Sequence, residues 1–108
     1  MAENYIEVWQ LNEYVRQGLE QDIFLSNIIV LGEISGLKVH SSGHIYFTLK
    51  DDKASIRCSF FRQYNYNLRF KLQDGMKVLA QGKVSLYVRD GQYQLYVYQI
   101  QQTGLGDL

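Results

Sequence analysis

Hydrophobic positions change their spacing near residue 25 of the chain. From about Trp9 to Gln21, Leu11, Tyr14, Val15 and Leu19 recur at helical intervals, with Gln10, Glu13, Arg16, Gln17 and Glu20 on the other faces. This predicts an amphipathic helix whose apolar stripe must pack on something. Gly18 opposes it by about 1 kcal/mol relative to alanine. Beyond residue 27 the texture is that of strands. Ile28 to Val39 is long and apolar but interrupted by Gly32 and Gly36; glycine inside a strand marks a bulge or bend, so a curved first strand is expected. After the loop Ser41-Ser42-Gly43, the run His44 to Lys50 alternates strictly, which turns Ile45, Phe47 and Leu49 inward and His44, Tyr46, Thr48 and Lys50 outward.

The turn Asp51-Asp52-Lys53 leads to a second alternating run, Ser55 to Phe61, with Ile56, Cys58 and Phe60 inside and Arg57, Ser59 and Phe61 outside. Tyr64, Leu68 and Leu72 at spacing four predict a short helix, stopped by Asp74-Gly75. A fourth strand, Met76 to Tyr87, places Val78, Ala80, Gly82, Val84 and Leu86 on one side and Lys77, Gln81, Lys83 and Ser85 on the other. Asp90-Gly91 closes a hairpin with a fifth strand, Gln92 to Gln101. The order helix, three strands, helix, two strands, with a bent first strand, predicts a mainly β fold: a five-stranded OB-fold barrel with an N-terminal α-helix and a short helix between strands three and four. An open meander or an SH3-like barrel would also use five strands, but the position of the second helix favours the OB order. The expected divisions are a helical segment, 1–27, packed on the barrel, the barrel at 28–103, and the start of a linker at 104–108.

The 108 residues suffice for one modest core, and a composition 46% hydrophobic and 20% charged is that of a folded globular chain. No apolar run approaches the length of a membrane span and the acidic start lacks a signal peptide's basic region, so no membrane partner and a cytoplasmic location are expected. Cys58, the one cysteine, excludes an internal disulfide and is expected to be a buried thiol. The formal net charge is zero, which by itself argues against an anionic partner. The average hides an asymmetry. Residues 1–33 hold Arg16 against six acidic residues, net −5, while the rest holds ten Lys or Arg against five Asp, net +5. The barrel is therefore basic and its leading segment acidic.

Outward aromatics beside cations are what single-strand binding uses, base stacking plus backbone neutralisation. Tyr46, Arg57 and Phe61 should share the outward face of adjacent strands, with Arg62 at its edge; ordinary cross-strand pairing is the alternative explanation. His40, Ser41, Ser42 and His44 border the loop between strands one and two, where hydroxyls and imidazoles can meet phosphate or base edges. Tyr87 and Arg89, on the other hairpin, would form the opposite wall. The two histidines have no acidic or thiol ligand beside them, and Asp51-Asp52 point apart on a turn, so neither a metal site nor a cofactor is expected. No nucleophile–base constellation is present, and no catalytic residue is assigned.

These residues also resemble a known family. Gly32-Glu33-Ile34-Ser35 and the run His40-Ser41-Ser42-Gly43-His44-Ile45-Tyr46-Phe47-Thr48-Leu49-Lys50-Asp51 are similar to the N-terminal domain of the exodeoxyribonuclease VII large subunit. The likeness continues through Ile56-Arg57-Cys58, Phe61-Arg62, Gly82-Lys83-Val84-Ser85-Leu86-Tyr87 and Tyr93-Gln94-Leu95. It covers the chain from about residue 5. The family usually opens its first helix with Ser or Thr where this chain has Trp9, so the cap is supplied differently or is absent. Tyr64 and Tyr66 make the connecting helix more aromatic than is usual there. The resemblance implies a single-stranded-DNA-binding domain of an exodeoxyribonuclease, presenting substrate to a catalytic region beyond residue 108, with multiple small subunits and the rest of the large subunit as partners. The alternative is a subunit or interdomain docking module without intrinsic nucleic-acid binding.

Overall fold

The computed structural model describes residues 4–103. The expected linker, 104–108, lies outside the described residues. The elements follow the predicted order: α1 (Val8–Gln21), β1 (Ile28–Val39), β2 (Ile45–Lys50), β3 (Ser55–Phe60), α2 (Arg62–Asn65), β4 (Lys77–Tyr87) and β5 (Gln92–Gln102). The five strands close into a barrel in the order β1-β2-β3-β5-β4. β1 pairs with β4 through Ile28 to Glu33 and with β2 through Glu33 to Val39, and it changes sheet neighbours by bending. The bend falls on a register shift between Ser35 and Lys38, where Gly36 has φ +64°, a conformation that L side chains rarely adopt.

Alternation along the strands fills the interior with Ile34, Leu49, Phe60, Val78, Leu95 and Val97, all essentially inaccessible to solvent. Ile45 and Ile56, expected in the core, are partly buried and pack against its edge. Gly82 lies where β4 and β5 press together across a second register shift; a Cβ there would stand 2.2 Å from the Tyr96 carbonyl oxygen, so no larger residue fits without parting the strands. The barrel closes through a short parallel pairing of β3 with β5, Cys58 with Leu95 and Ser59 with Tyr96. Cys58 is buried, and desolvation pushes its thiol up to about 12, which makes it inert at neutral pH.

Four expectations need correction. Ser59 faces outward as the alternation requires, yet it is buried, because β5 lies beside it and its Oγ donates to Gln94 Oε1 at 3.0 Å. Phe61 has left the strand and is the N-cap of α2, and α2 is a single turn; Leu68 and Leu72 pack inward from irregular chain instead of a helix. The helix α1 starts at Val8 instead of about Trp9, and its N-cap is Glu7, with Gln10 Oε1 accepting the Glu7 backbone N–H at 2.7 Å. Most important, α1 lies against β4 through a different face from the expected stripe. Of the stripe, only Leu19 reaches the core, whereas Leu11, Tyr14 and Val15 are exposed, Tyr14 by 75%. The contact is largely polar: Asn12 Nδ2 donates to the Val88 carbonyl at 2.8 Å, Ser85 Oγ donates to the Glu20 carboxylate, and Lys83 Nζ sits 3.6 Å from it. The outward face of β4 there carries Lys83 and Ser85, and it selects the helix's polar edge.

Candidate nucleic-acid interface

Pairing of β2 with β3 sets Tyr46 opposite Ser59 and Thr48 opposite Arg57, so the outward residues of both strands share one surface. The bend at Gly36 raises β1 on one side of that surface and the β4–β5 hairpin rises on the other. Between them runs a groove of about 620 Å³. Tyr46, Arg57, Phe61 and Tyr87, all expected from the sequence, line it. So do Lys38 from β1 and, from β5, Gln94 and Tyr96, the last two not expected in the site from the sequence, and Ser59 forms part of its floor. The signal for the β5 residues was there: with Leu95 and Val97 inward, Gln94 and Tyr96 must face out.

The rings form a connected series. Phe61 stands 6.5 Å from Tyr46 and 6.1 Å from Tyr96, and His44 packs edge-on against Phe61 at 5.1 Å. With Tyr46, Phe61 and Tyr96 all in its lining, the groove has an aromatic wall of the kind on which bases stack. His44 is fixed by its Nδ1, which accepts the Arg62 backbone N–H at 3.0 Å, so the neutral ring carries its proton on Nε2. Arg57 and Lys38 pair with no carboxylate among the described residues, while Asp90 contributes the groove's one carboxylate among those that line it.

The remaining candidates surround the groove without lining it. His40 Nδ1 holds the β1–β2 loop in shape by contacting Ser42 Oγ at 3.0 Å and accepting the Ser42 N–H at 3.2 Å. Ser41 is exposed in the same loop. Ser42, His44 and Arg62 share a separate shallow depression with Tyr66. Arg89 is exposed in the turn after β4, outside the groove lining. Asp51 is turn chemistry: its Oδ1 accepts the Lys53 and Ala54 N–H groups, which lower its pKa. Among the described residues no three His, Cys, Asp or Glu side chains cluster as metal ligands would, and no helix is long and apolar enough to cross a membrane.

Comparison with known proteins agrees with this geometry. The family of OB-fold nucleic acid binding domains matches residues 6–101. The exodeoxyribonuclease 7 large subunit of Clostridium botulinum (strain Okra / Type B1) is 54% identical over 103 residues, 95% of this chain and 26% of that protein. The large subunit of Natranaerobius thermophilus is 53% identical over all 108 residues, again 26% of its length. The chain thus spans about a quarter of these curated relatives. Among solved structures, the S. pombe Stn1-ten1 complex superposes with a TM-score of 0.62 at 15% identity, covering 75% of this chain and 60% of the other. A replication protein A heterotrimer bound to ssDNA gives 0.60 at 6% identity, covering 73% and 58%. At such identities these two likenesses concern the fold alone. The barrel order, the family match and the identity to the large subunits together establish that the chain belongs to the OB-fold nucleic acid binding domains, as the counterpart of the stretch it matches in exodeoxyribonuclease 7 large subunits.

Proposed function

We propose that the groove binds single-stranded DNA without sequence preference and presents it to a nuclease activity carried by the remaining three quarters of a large subunit of this kind. One observation carries the reading: Arg57 and Lys38, which pair with no carboxylate among the described residues, line a single open groove with Tyr46 and Phe61, which joins phosphate neutralisation to base stacking. In this reading Tyr46, Phe61 and Tyr87 offer ring faces. Arg57, with Arg62 and Arg89 at the margins, meets phosphates, and His40, Ser41, Ser42 and His44 border the strand's path at the β1–β2 loop. The natural setting would be the cytoplasm, with small subunits and the rest of the large subunit as protein partners.

A labelled oligodeoxythymidine tests this. Log affinity should fall with log salt at a slope of about −2 to −3, since about three or four phosphates can meet cations in one groove. Duplex DNA should bind more weakly because its bases are already stacked. A salt-independent signal would overturn the proposal. A second reading, a docking module, is favoured by a different observation: Val8, Leu11, Tyr14 and Val15 leave an apolar helix face uncovered. Absence of any oligonucleotide binding would make it the better account.

A further inference from the structure

The ring series does not end with the groove. Phe61 and Tyr96 also line a second cleft, of about 390 Å³, between α1, α2 and the outward faces of β4 and β5. That volume is within the range of small-ligand clefts, about 300–1,000 Å³. Two residues along β5 from Tyr96, on the same face, Tyr98 lies in this cleft with its ring 5.2 Å from that of Tyr64. Lys83 and Arg16 supply cations on the opposite side. Unlike those of the groove, these cations are occupied: the Glu20 carboxylate stands 3.6 Å from Lys83 Nζ and 3.5 Å from Arg16 Nη1, and Glu13 holds Arg16 as well.

We propose that a single strand longer than the groove turns over Phe61 and Tyr96 into this cleft, where Tyr98 and Tyr64 stack its next one or two bases and Lys83 takes a phosphate in competition with Glu20. The inference rests on the reading of the groove as a strand-binding site and extends its path. Continuity supports this occupant, since the two depressions share Phe61 and Tyr96 and no other ring separates Tyr96 from Tyr98 along the outward face of β5. Glu20 gives the cleft its character. A phosphate entering beside Lys83 must displace an intramolecular partner, so the extension adds stacking energy with little electrostatic gain, and short strands have no reason to enter.

Oligodeoxythymidines of graded length, from about four to twelve nucleotides, separate the outcomes in equilibrium titrations on the whole chain. Wild-type affinity should rise past the length that fills the groove. Tyr98→Ala should remove that rise, costing about tenfold or more on the long strands, and leave the shortest strands unaffected. Tyr64→Ala, on an exposed helical position, should do the same to a smaller degree and guards against a folding defect in the first variant. Glu20→Gln retains an acceptor for Ser85 while releasing Lys83, with Arg16 still held by Glu13; it should tighten long strands only, and steepen their salt dependence. If the tyrosine variants bind every length as wild type does, the cleft is not on the path and the groove reading stands alone. A loss equal at all lengths would also overturn the proposal, because the rings would then support the groove itself. If wild type binds no length, both readings fall together.

Discussion

Tyr46 and Phe47 are adjacent in β2 and point to opposite sides of the barrel wall, Tyr46 into the groove and Phe47 into the core. Substitution should therefore separate binding from folding. Tyr46→Ala is expected to cost about 1–3 kcal/mol of single-strand affinity, and Arg57→Ala to make the salt slope shallower by about 0.7, both with normal thermal unfolding. Phe47→Ala should instead destabilise the fold by about 3–5 kcal/mol through the cavity it leaves. Unfolding of the Tyr46 or Arg57 variants, followed by circular dichroism, would contradict the assignment of faces. This much of the site was legible because a strand's period of two assigns each side chain to a wall without knowledge of its neighbours. Ser59 shows the limit of that rule. Its face followed from alternation, but its burial depends on β5, 35 residues away at Gln94, and pairing of distant strands is not written in local periodicity. Lys38 entered the groove for a similar reason, since the bend at Gly36 decides where it points.

Helix α1 is the element whose existence was clear in the sequence and whose orientation was not. Spacing identified an amphipathic segment, and the apolar stripe was expected to be its buried side; β4 instead presents Lys83 and Ser85, and α1 answers with Asn12, Leu19 and Glu20. Hydropathy ranks faces by their affinity for oil and is blind to a polar complement on the opposing strand. Thermal unfolding should register the difference. Tyr14→Ser, at an exposed position, should change stability by no more than about 0.5 kcal/mol, as surface substitutions do, whereas Leu19→Ala should lower the melting temperature. Acid provides a second check. Hydrogen bonding from Ser85, helped by Lys83 and Arg16, lowers the Glu20 pKa below its ordinary 4.5. A carboxyl with a depressed folded-state pKa contributes stability above its unfolded value and loses it as pH falls through the folded one. The attachment of α1 should thus weaken below about pH 4.5, and Glu20→Gln should flatten that part of the profile. A tryptophan signal from Trp9, near the helix start, offers a local readout.

At the level of the whole molecule, the strand order and both helices could be read from the chain because turn residues punctuate it: Ser41-Ser42-Gly43, Asp51-Asp52-Lys53, Asp74-Gly75 and Asp90-Gly91 each fall between elements. Closure could not be read in the same way. It depends on β3 meeting β5 in parallel over only Cys58 with Leu95 and Ser59 with Tyr96, strands separated in sequence by α2 and all of β4. Every other strand pairing in the barrel has at least five partnered residues. So brief a seam is the place where the wall should open most readily in the native state, and the amide protons that join β3 to β5 should exchange with deuterium sooner than those that join β4 to β5. The groove lies directly over this seam. A strand laid across Phe61 and Tyr96 would brace it from outside, so exchange at these amides should slow on adding a single-stranded oligonucleotide and stay unchanged on adding duplex. The shortest pairing in the barrel then serves as a built-in reporter of occupancy, one whose response needs no label.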